Sequence, residues 1–401
     1  MRAITRAGMA LVAIAALFAI AAGSAGAQGA RQSRHDEHHP QSFHHPVPPP
    51  FHPPLPGRPS HPVFVQTDNP TGNQVVAYDQ AANGSLTQAG TYNTGGLGGV
   101  LEGSVVDHLA SQGSLAYDSD NGLLYAVNAG SNTVSVFSVS GDRLSLRQVI
   151  DSGGAFPVSV AVSHGLVYVL NAEEGGSLQG YRVGFGHLFP ILGSGRALGL
   201  DPTQTPQFVN TPGQVAFSPD GSQLIVTTKA NGSSIDVFGV RFLGRLTQTP
   251  VVNSEPGTVP FGLTFDQQGN LLVTQAGPNA VASYHLAGDG TVTPISSVLT
   301  GGAATCWIVR AGNVLYASNA GSGTLSSVLS GSGGQLTFLG NTETHGGTVD
   351  AAVSSSSRYL YVQAGAAGIV DEFSIGAQGA LTKVGSVTVP GAVGGEGIVA
   401  L

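Results

Sequence analysis

The amino-acid sequence predicts an all-β fold, a seven-bladed β-propeller of four-stranded antiparallel blades, on three observations. First, residues 215–252 read as four apolar runs of strand length parted by turns. VAF stops at Ser218-Pro219-Asp220-Gly221, LIVTT at Ala230-Asn231-Gly232-Ser233, and IDVFGV at a Gly244-Arg245 turn before LTQTPVV. Proline presets φ and glycine accepts positive φ, so such tetrapeptides reverse the chain. Second, the last turn and the strand after it recur seven times. They are anchored at Leu86, Leu144, Leu188, Leu246, Val292, Leu336 and Leu381, at intervals of 58, 44, 58, 46, 44 and 45 residues. One four-stranded unit per roughly 40–50 residues is the period of a propeller blade, which buries its faces only against its own kind. Third, the first unit lacks an inner strand, and an unclaimed apolar run, Gly397-Ile398-Val399-Ala400-Leu401, follows the seventh. Pairing it beside residues 63–67 closes the ring and removes exposed strand edges.

In chain order, residues 1–27 carry the marks of a signal peptide. Arg2 and Arg6 precede an apolar run over 9–22, and Ala25-Gly26-Ala27 is a small-x-small cleavage site. The run is short for a membrane span, so the expected product is secreted or extracytoplasmic, cleaved after Ala27, with no membrane span left. The sole cysteine, Cys306, allows no internal disulfide. Residues 28–62 form a separate linker of ten prolines and seven of the chain's twelve histidines. Proline denies the segment helix and sheet ladders, leaving an extended, solvated arm. Its histidines, His35, His38, His39, His44 and His45 foremost, are candidate ligands for a divalent transition metal; the alternative is a plain linker. The propeller itself is assigned to residues 63–401.

Composition narrows the partners. A net charge of −8, with Lys229 and Lys383 the only lysines, argues against nucleic acid or an anionic membrane surface over the chain as a whole. Charged residues make up 9% and glycines number 59, which suits a turn-dense β protein packed through small residues. A monomer is expected.

Strand polarity sorts the polar residues. In a blade wound from axis to rim, fourth-to-first connections and second-to-third turns share one face. Two connections there are long, residues 92–113 and 194–213, and long loops on a rigid scaffold often carry function. They bring Glu102, Asp107, His108, Arg196 and Asp201 to the face that also receives Glu173, Glu174, Lys229, Glu255, His345, Asp350 and Glu396. Cys306 begins an inner strand, as packing or as a nucleophile, and Trp307 either floors a pocket or fills the channel. His164 and His187 fall in turns of the opposite face, His285 lies on a strand, and Asp220 bonds its own turn. The sequence holds no nucleophile elbow, P-loop or metalloprotease helix.

Phe217-Ser218-Pro219-Asp220-Gly221, Leu124-Tyr125-Ala126-Val127-Asn128, Val167-Tyr168-Val169-Leu170-Asn171 and Leu315-Tyr316-Ala317-Ser318-Asn319 resemble the repeat phrases of the seven-bladed lactonase family, which includes 6-phosphogluconolactonases and carboxymuconate cyclases. The resemblance spans residues 63–401. It implies hydrolysis or cyclisation of a small carboxylated lactone, with no cofactor required. Active members commonly open an inner strand with Gly-Pro-Arg-His, where this chain has Thr211-Pro212-Gly213-Gln214. A replacement set is His108 or His345 as base, Arg196 or Lys229 as anchor and Glu173 as orienter, around a channel mouth of Gln214, Cys306, Trp307, Asp350 and Glu396. The alternative is a non-catalytic binding or scaffold propeller of the cell envelope.

Overall fold

The structure is a computed structural model that describes residues 61–401. Residues 1–27, read above as a signal peptide, nearly all of the 28–62 segment and the candidate ligands His35, His38, His39, His44 and His45 lie outside the described residues.

The described residues form seven antiparallel sheets in a ring. Blade one contains β1 (Pro62–Gln66), β2 (Gln74–Gln80) and β3 (Leu86–Asn93); blade two, β4 (Leu115–Asp118), β5 (Leu123–Asn128), β6 (Thr133–Ser140) and β7 (Arg143–Asp151). Blade three contains β8 (Pro157–Ser163), β9 (Leu166–Asn171), β10 (Ser177–Gly184) and β11 (His187–Pro190), with a short β12 (Arg196–Ala197) also paired to β10. Blade four is β13 (Pro212–Phe217), β14 (Gln223–Thr228), β15 (Ser234–Gly239) and β16 (Val251–Ser254). Blade five is β17 (Pro260–Phe265), β18 (Leu271–Gln275), β19 (Ala280–Leu286) and β20 (Val292–Leu299). Blade six is β21 (Thr305–Ala311), β22 (Val314–Asn319), β23 (Thr324–Ser330) and β24 (Leu336–Glu343). Blade seven is β25 (Thr348–Val353), β26 (Tyr359–Ala364), β27 (Ile369–Ile375) and β28 (Leu381–Thr388), and β29 (Ile398–Ala400) ends the chain.

The ring closes as the sequence requires. β29 pairs antiparallel with β1, Val65 facing Ile398 and Val63 facing Ala400, and becomes the inner strand of blade one. Ile398 packs with Val63, Val65 and Tyr361, so the seam is cemented by the same apolar burial as any other blade junction.

Second strands have apolar centres because both their faces are covered; β5, β14, β22 and β26 are buried throughout. Outer strands such as β7 instead alternate toward solvent. Three second-strand tyrosines have a specific task. Tyr168, Tyr316 and Tyr361 donate their hydroxyls to the carbonyls of Gly244, Gly379 and Gly84, each the turn glycine of the next blade, at 2.7, 2.9 and 2.9 Å. A buried phenol needs such an acceptor, and the acceptor aligns adjacent blades. Two outer strands depart from the expected outline. In blade four Leu246 makes only an isolated bridge to Val240 before β16 starts at Val251. In blade three the strand stops at Pro190 and resumes as β12, which draws Arg196 out of the long connection and onto the blade's rim.

Candidate functional site

The long connection into blade two does not lie over the face; its last turn enters the bore. The Ser111 hydroxyl donates to the Val158 carbonyl of blade three (2.9 Å) and the Gln112 amide to the Gly213 carbonyl of blade four (3.1 Å). Across the axis, the Trp307 indole donates to the Ser111 carbonyl at 2.6 Å. The Gln112 side chain brackets Ile308, giving to its carbonyl at 2.7 Å and taking its N–H at 2.9 Å. Gly262 of blade five must lack a side chain, because a Cβ there would meet Gln112 Oε1 at 2.3 Å. Residues 107–113 are therefore a stopper tied to several blades. Trp307 both fills the channel and walls the pocket described next.

Beside the stopper is a cavity of about 50 Å³, walled by Val106, Ala110, Phe208, Val259, Phe261 and Trp307, with Asp107, Lys229 and Cys306 among its lining residues. Lys229, just past β14, is buried, and its Nζ donates to the Ala110 and Phe208 carbonyls, each at 2.6 Å, above the Phe261 ring. Burial draws the Lys229 ammonium down to about 7, against the pull of the Asp107 carboxylate and the Cys306 sulfur. Asp107 is displaced the opposite way. Burial raises its carboxyl far above the ordinary range, restrained by the N–H groups of Ser111 (2.9 Å) and Leu109 (2.8 Å) and by Lys229. Cys306 is pushed up to about 12 by burial, so its thiol stays protonated at neutral pH.

Asp350 and Glu396 form a second buried group. Glu396 Oε1 accepts from the amides of Gly113 (2.8 Å) and Ser114 (3.4 Å), while its Oε2 is buried and receives no N–H. Burial, then mutual repulsion, lifts Glu396 well above the usual carboxylate range; burial also raises Asp350, and the two side chains hydrogen-bond. One shared proton is the arrangement such a pair favours.

The remaining candidates do not converge on the Lys229 pocket. Arg196 is buried at the blade-three rim and donates to the carbonyls of Thr247, Gly193, Gly195 and Leu246 at 2.6–3.0 Å, tying blade three to blade four. His345 bonds Asp371 through Nδ1 at 2.7 Å, and Lys383 meets the same carboxylate at 2.8 Å, a blade-seven cluster. Glu173 lines a separate cleft of about 30 Å³ with Glu174, Asp201 and Asn231. Gln214 Oε1 takes the Leu263 N–H at 2.6 Å, clasping the inner strands of blades four and five. His108 is half-buried against Gly394, its Nδ1 buried without a partner and its pKa lowered by burial. Sequence reasoning brought Asp107 to this face without giving it a catalytic role, and did not foresee the apolar walls Val106, Ala110, Phe208, Val259 and Phe261. The apolar pair Leu109-Ala110 inside a supposed surface loop was the available signal. Among the described residues no three His, Cys, Asp or Glu side chains gather to hold a metal ion, and no helix is long and apolar enough to cross a membrane.

Comparison with known proteins places this geometry. The family described as "Lactonase, 7-bladed beta-propeller" matches residues 273–396. No curated protein matches the chain. A solved protein from Lactobacillus plantarum superposes with a TM-score of 0.70 at 19% identity, covering 85% of this chain and 99% of its own. A periplasmic gluconolactonase of Pseudomonas aeruginosa gives a TM-score of 0.67 at 18% identity over 85% and 99%. A Bacteroides fragilis protein provisionally named a 6-phosphogluconolactonase gives 0.67 at 19% identity over 87% and 100%. At these identities the shared property is the fold. The chain is thus a seven-bladed propeller that resembles the lactonase propellers, in sequence through residues 273–396 and in shape around the whole ring.

Proposed function

We propose that the channel-mouth pocket opens a small lactone by hydrolysis. The carrying observation is that Asp107 and Lys229 line one otherwise apolar cavity, whose burial drives an acid up and a base down toward neutrality. General acid–base catalysis is most effective when both groups titrate near the working pH. In this reading Asp107 takes a proton from the attacking water. Lys229, with two N–H directions committed to carbonyls, turns its remaining one to the carbonyl oxygen and then to the departing ring oxygen. The bond from acyl carbon to ring oxygen breaks, one to hydroxyl forms, and the product is a hydroxy acid. The apolar walls exclude competing water. The fold shared with a gluconolactonase of Pseudomonas aeruginosa supports the choice of lactone chemistry, and the sequence of residues 1–27 supports action outside the cytoplasm.

A second reading, a binding propeller without turnover, is favoured by one observation: Gln214, at the place of the family's histidine, has its carbonyl oxygen taken by Leu263. The full chain assayed by pH-stat against glucono-δ-lactone, γ-lactones and muconolactone decides between them. Hydrolysis above background, lost on Asp107→Asn, is expected. No turnover of any lactone overturns the hydrolytic reading, and saturable binding of a lactone without turnover establishes the other.

A further inference from the structure

The face opposite the pocket mouth carries two turns that break the pattern of their siblings. Between third and fourth strands, five blades put a small or polar residue at the tip: Asn83, Asp142, Asp289, Gly333 or Gln378. Blades three and four, adjacent in the ring, put Phe185 and Phe242-Leu243 there. Phe185 is 97% exposed at φ +52° and Gly186 follows at +75°, a two-residue turn of the mirror type that favours Asn-Gly. Phe242 is 86% exposed, and Leu243 beside it sits at φ +61°. Exposed aromatic and leucine side chains in a left-handed conformation gain nothing for the turn. The blade-four turn rests against blade three, where Leu166 and Ile191 lie beside Gly244, and Leu192, next in the chain, is 84% exposed.

Around these tips the charge is reversed from that of the chain. Arg147, Arg182, Arg241 and Arg245 are all exposed, and Arg147 lies along Gly186. Residues 177–200 and 237–254 contain no Asp or Glu, although the chain's net charge is −8. The acids of the same face lie to either side, Asp142 and Asp289 at the tips of blades two and five, with Asp289 near Arg241, and Asp220 engaged by Ser218 and Ser222. Whole-chain charge, which argued against an anionic surface, conceals this asymmetry.

We propose that this face docks on an anionic lipid bilayer, with Phe185 and Phe242 entering the boundary between headgroups and acyl chains and the four arginines meeting lipid phosphates. Convex apolar tips backed by cations are what a deformable, negatively charged surface accommodates. A symmetric second copy would set arginine against arginine, which costs rather than stabilises. The acidic remainder of the molecule is repelled, so docking has one orientation and leaves the pocket mouth toward solution.

The test uses the full chain with vesicles of phosphatidylglycerol and phosphatidylcholine, against phosphatidylcholine alone. Phe242→Trp supplies a reporter at this face, distinct from the buried Trp307, whose quenching by brominated lipid reads contact here whatever the N-terminal segment does. Quenching in anionic vesicles only, weakened by salt, is expected. In the Phe185→Asn, Phe242→Ser variant, co-sedimentation should fall about tenfold or more. Because Asn-Gly suits the turn, that variant should keep its thermal midpoint, which separates lost docking from lost folding. An unquenched reporter, equal sedimentation of the variant, or a dimer in solution that the variant dissolves would each overturn the proposal.

Discussion

Glu396 Oε1 accepts the Gly113 amide at 2.8 Å, although 283 positions separate the two residues in sequence. Gly113 ends the stopper and Glu396 stands just before β29, so this bond fastens the plug of the bore to the strand that closes the ring. The other carboxylate oxygen, buried and given no N–H, makes the same junction sensitive to charge.

That sensitivity has a sign. Asp350 and Glu396 hold protons in the folded state that they release near pH 4 when unfolded. Their contribution is therefore complete below the ordinary carboxyl range and declines as pH rises through the folded values. Glu396→Gln keeps the acceptor for Gly113 and presents a neutral donor to Asp350. Thermal melts should show variant and parent alike at pH 5 and the variant higher by at least about 3 °C at pH 8; a parallel decline in both would contradict the shared proton.

Lys229 and Asp107 should behave as a unit. Lys229→Met leaves the Ala110 and Phe208 carbonyls without their donor and removes the charge that restrains Asp107, and should cost about 1–3 kcal/mol in urea unfolding near pH 6. Adding Asp107→Asn should restore part of that loss, a non-additivity of roughly 1 kcal/mol or more. Strictly additive losses would mean that the two side chains do not sense each other.

Cys306 should be inert in the native protein. With its thiol pushed up to about 12 inside the pocket wall, iodoacetamide at pH 8 is expected to label it only in denaturant. Labelling of the folded chain at the rate of a free thiol would revive a nucleophilic role.

Deletion of residues 397–401 should open blade one. It removes Ile398 from its cluster and bares β1, so a loss of at least about 3 kcal/mol in urea unfolding and concentration-dependent light scattering are expected. Unchanged unfolding of the shortened chain would show that the ring does not need its last strand.

The ring was legible because its information is periodic. Leu86 through Leu381 mark the blades, and a surplus run at one terminus must fill a gap at the other. The site was less legible, for a physical reason. Depth in a bore has no period, so nothing in the spacing distinguished a connection that lies on the face from one that turns inward. Leu109 and Ala110 hint at burial, but nothing local in the sequence shows that Ser111 is held by Trp307 and Val158 or that Asp107 is buried behind it. Arg196 was misplaced because Pro190 interrupts its strand, and the resumption is only two residues long. His345 belongs with Asp371 through a pairing across blade seven that no local pattern encodes. Lys229 fell near a cavity because a lone lysine ending an apolar second strand has few other places to go.

The seated indole of Trp307 and the amide of Gln112 make the annulus a bulkhead instead of a pipe. With residues 107–113 seated across the bore, the two ends are free to acquire unrelated tasks. A substitution at one end then leaves the other undisturbed, and selection can act on either alone.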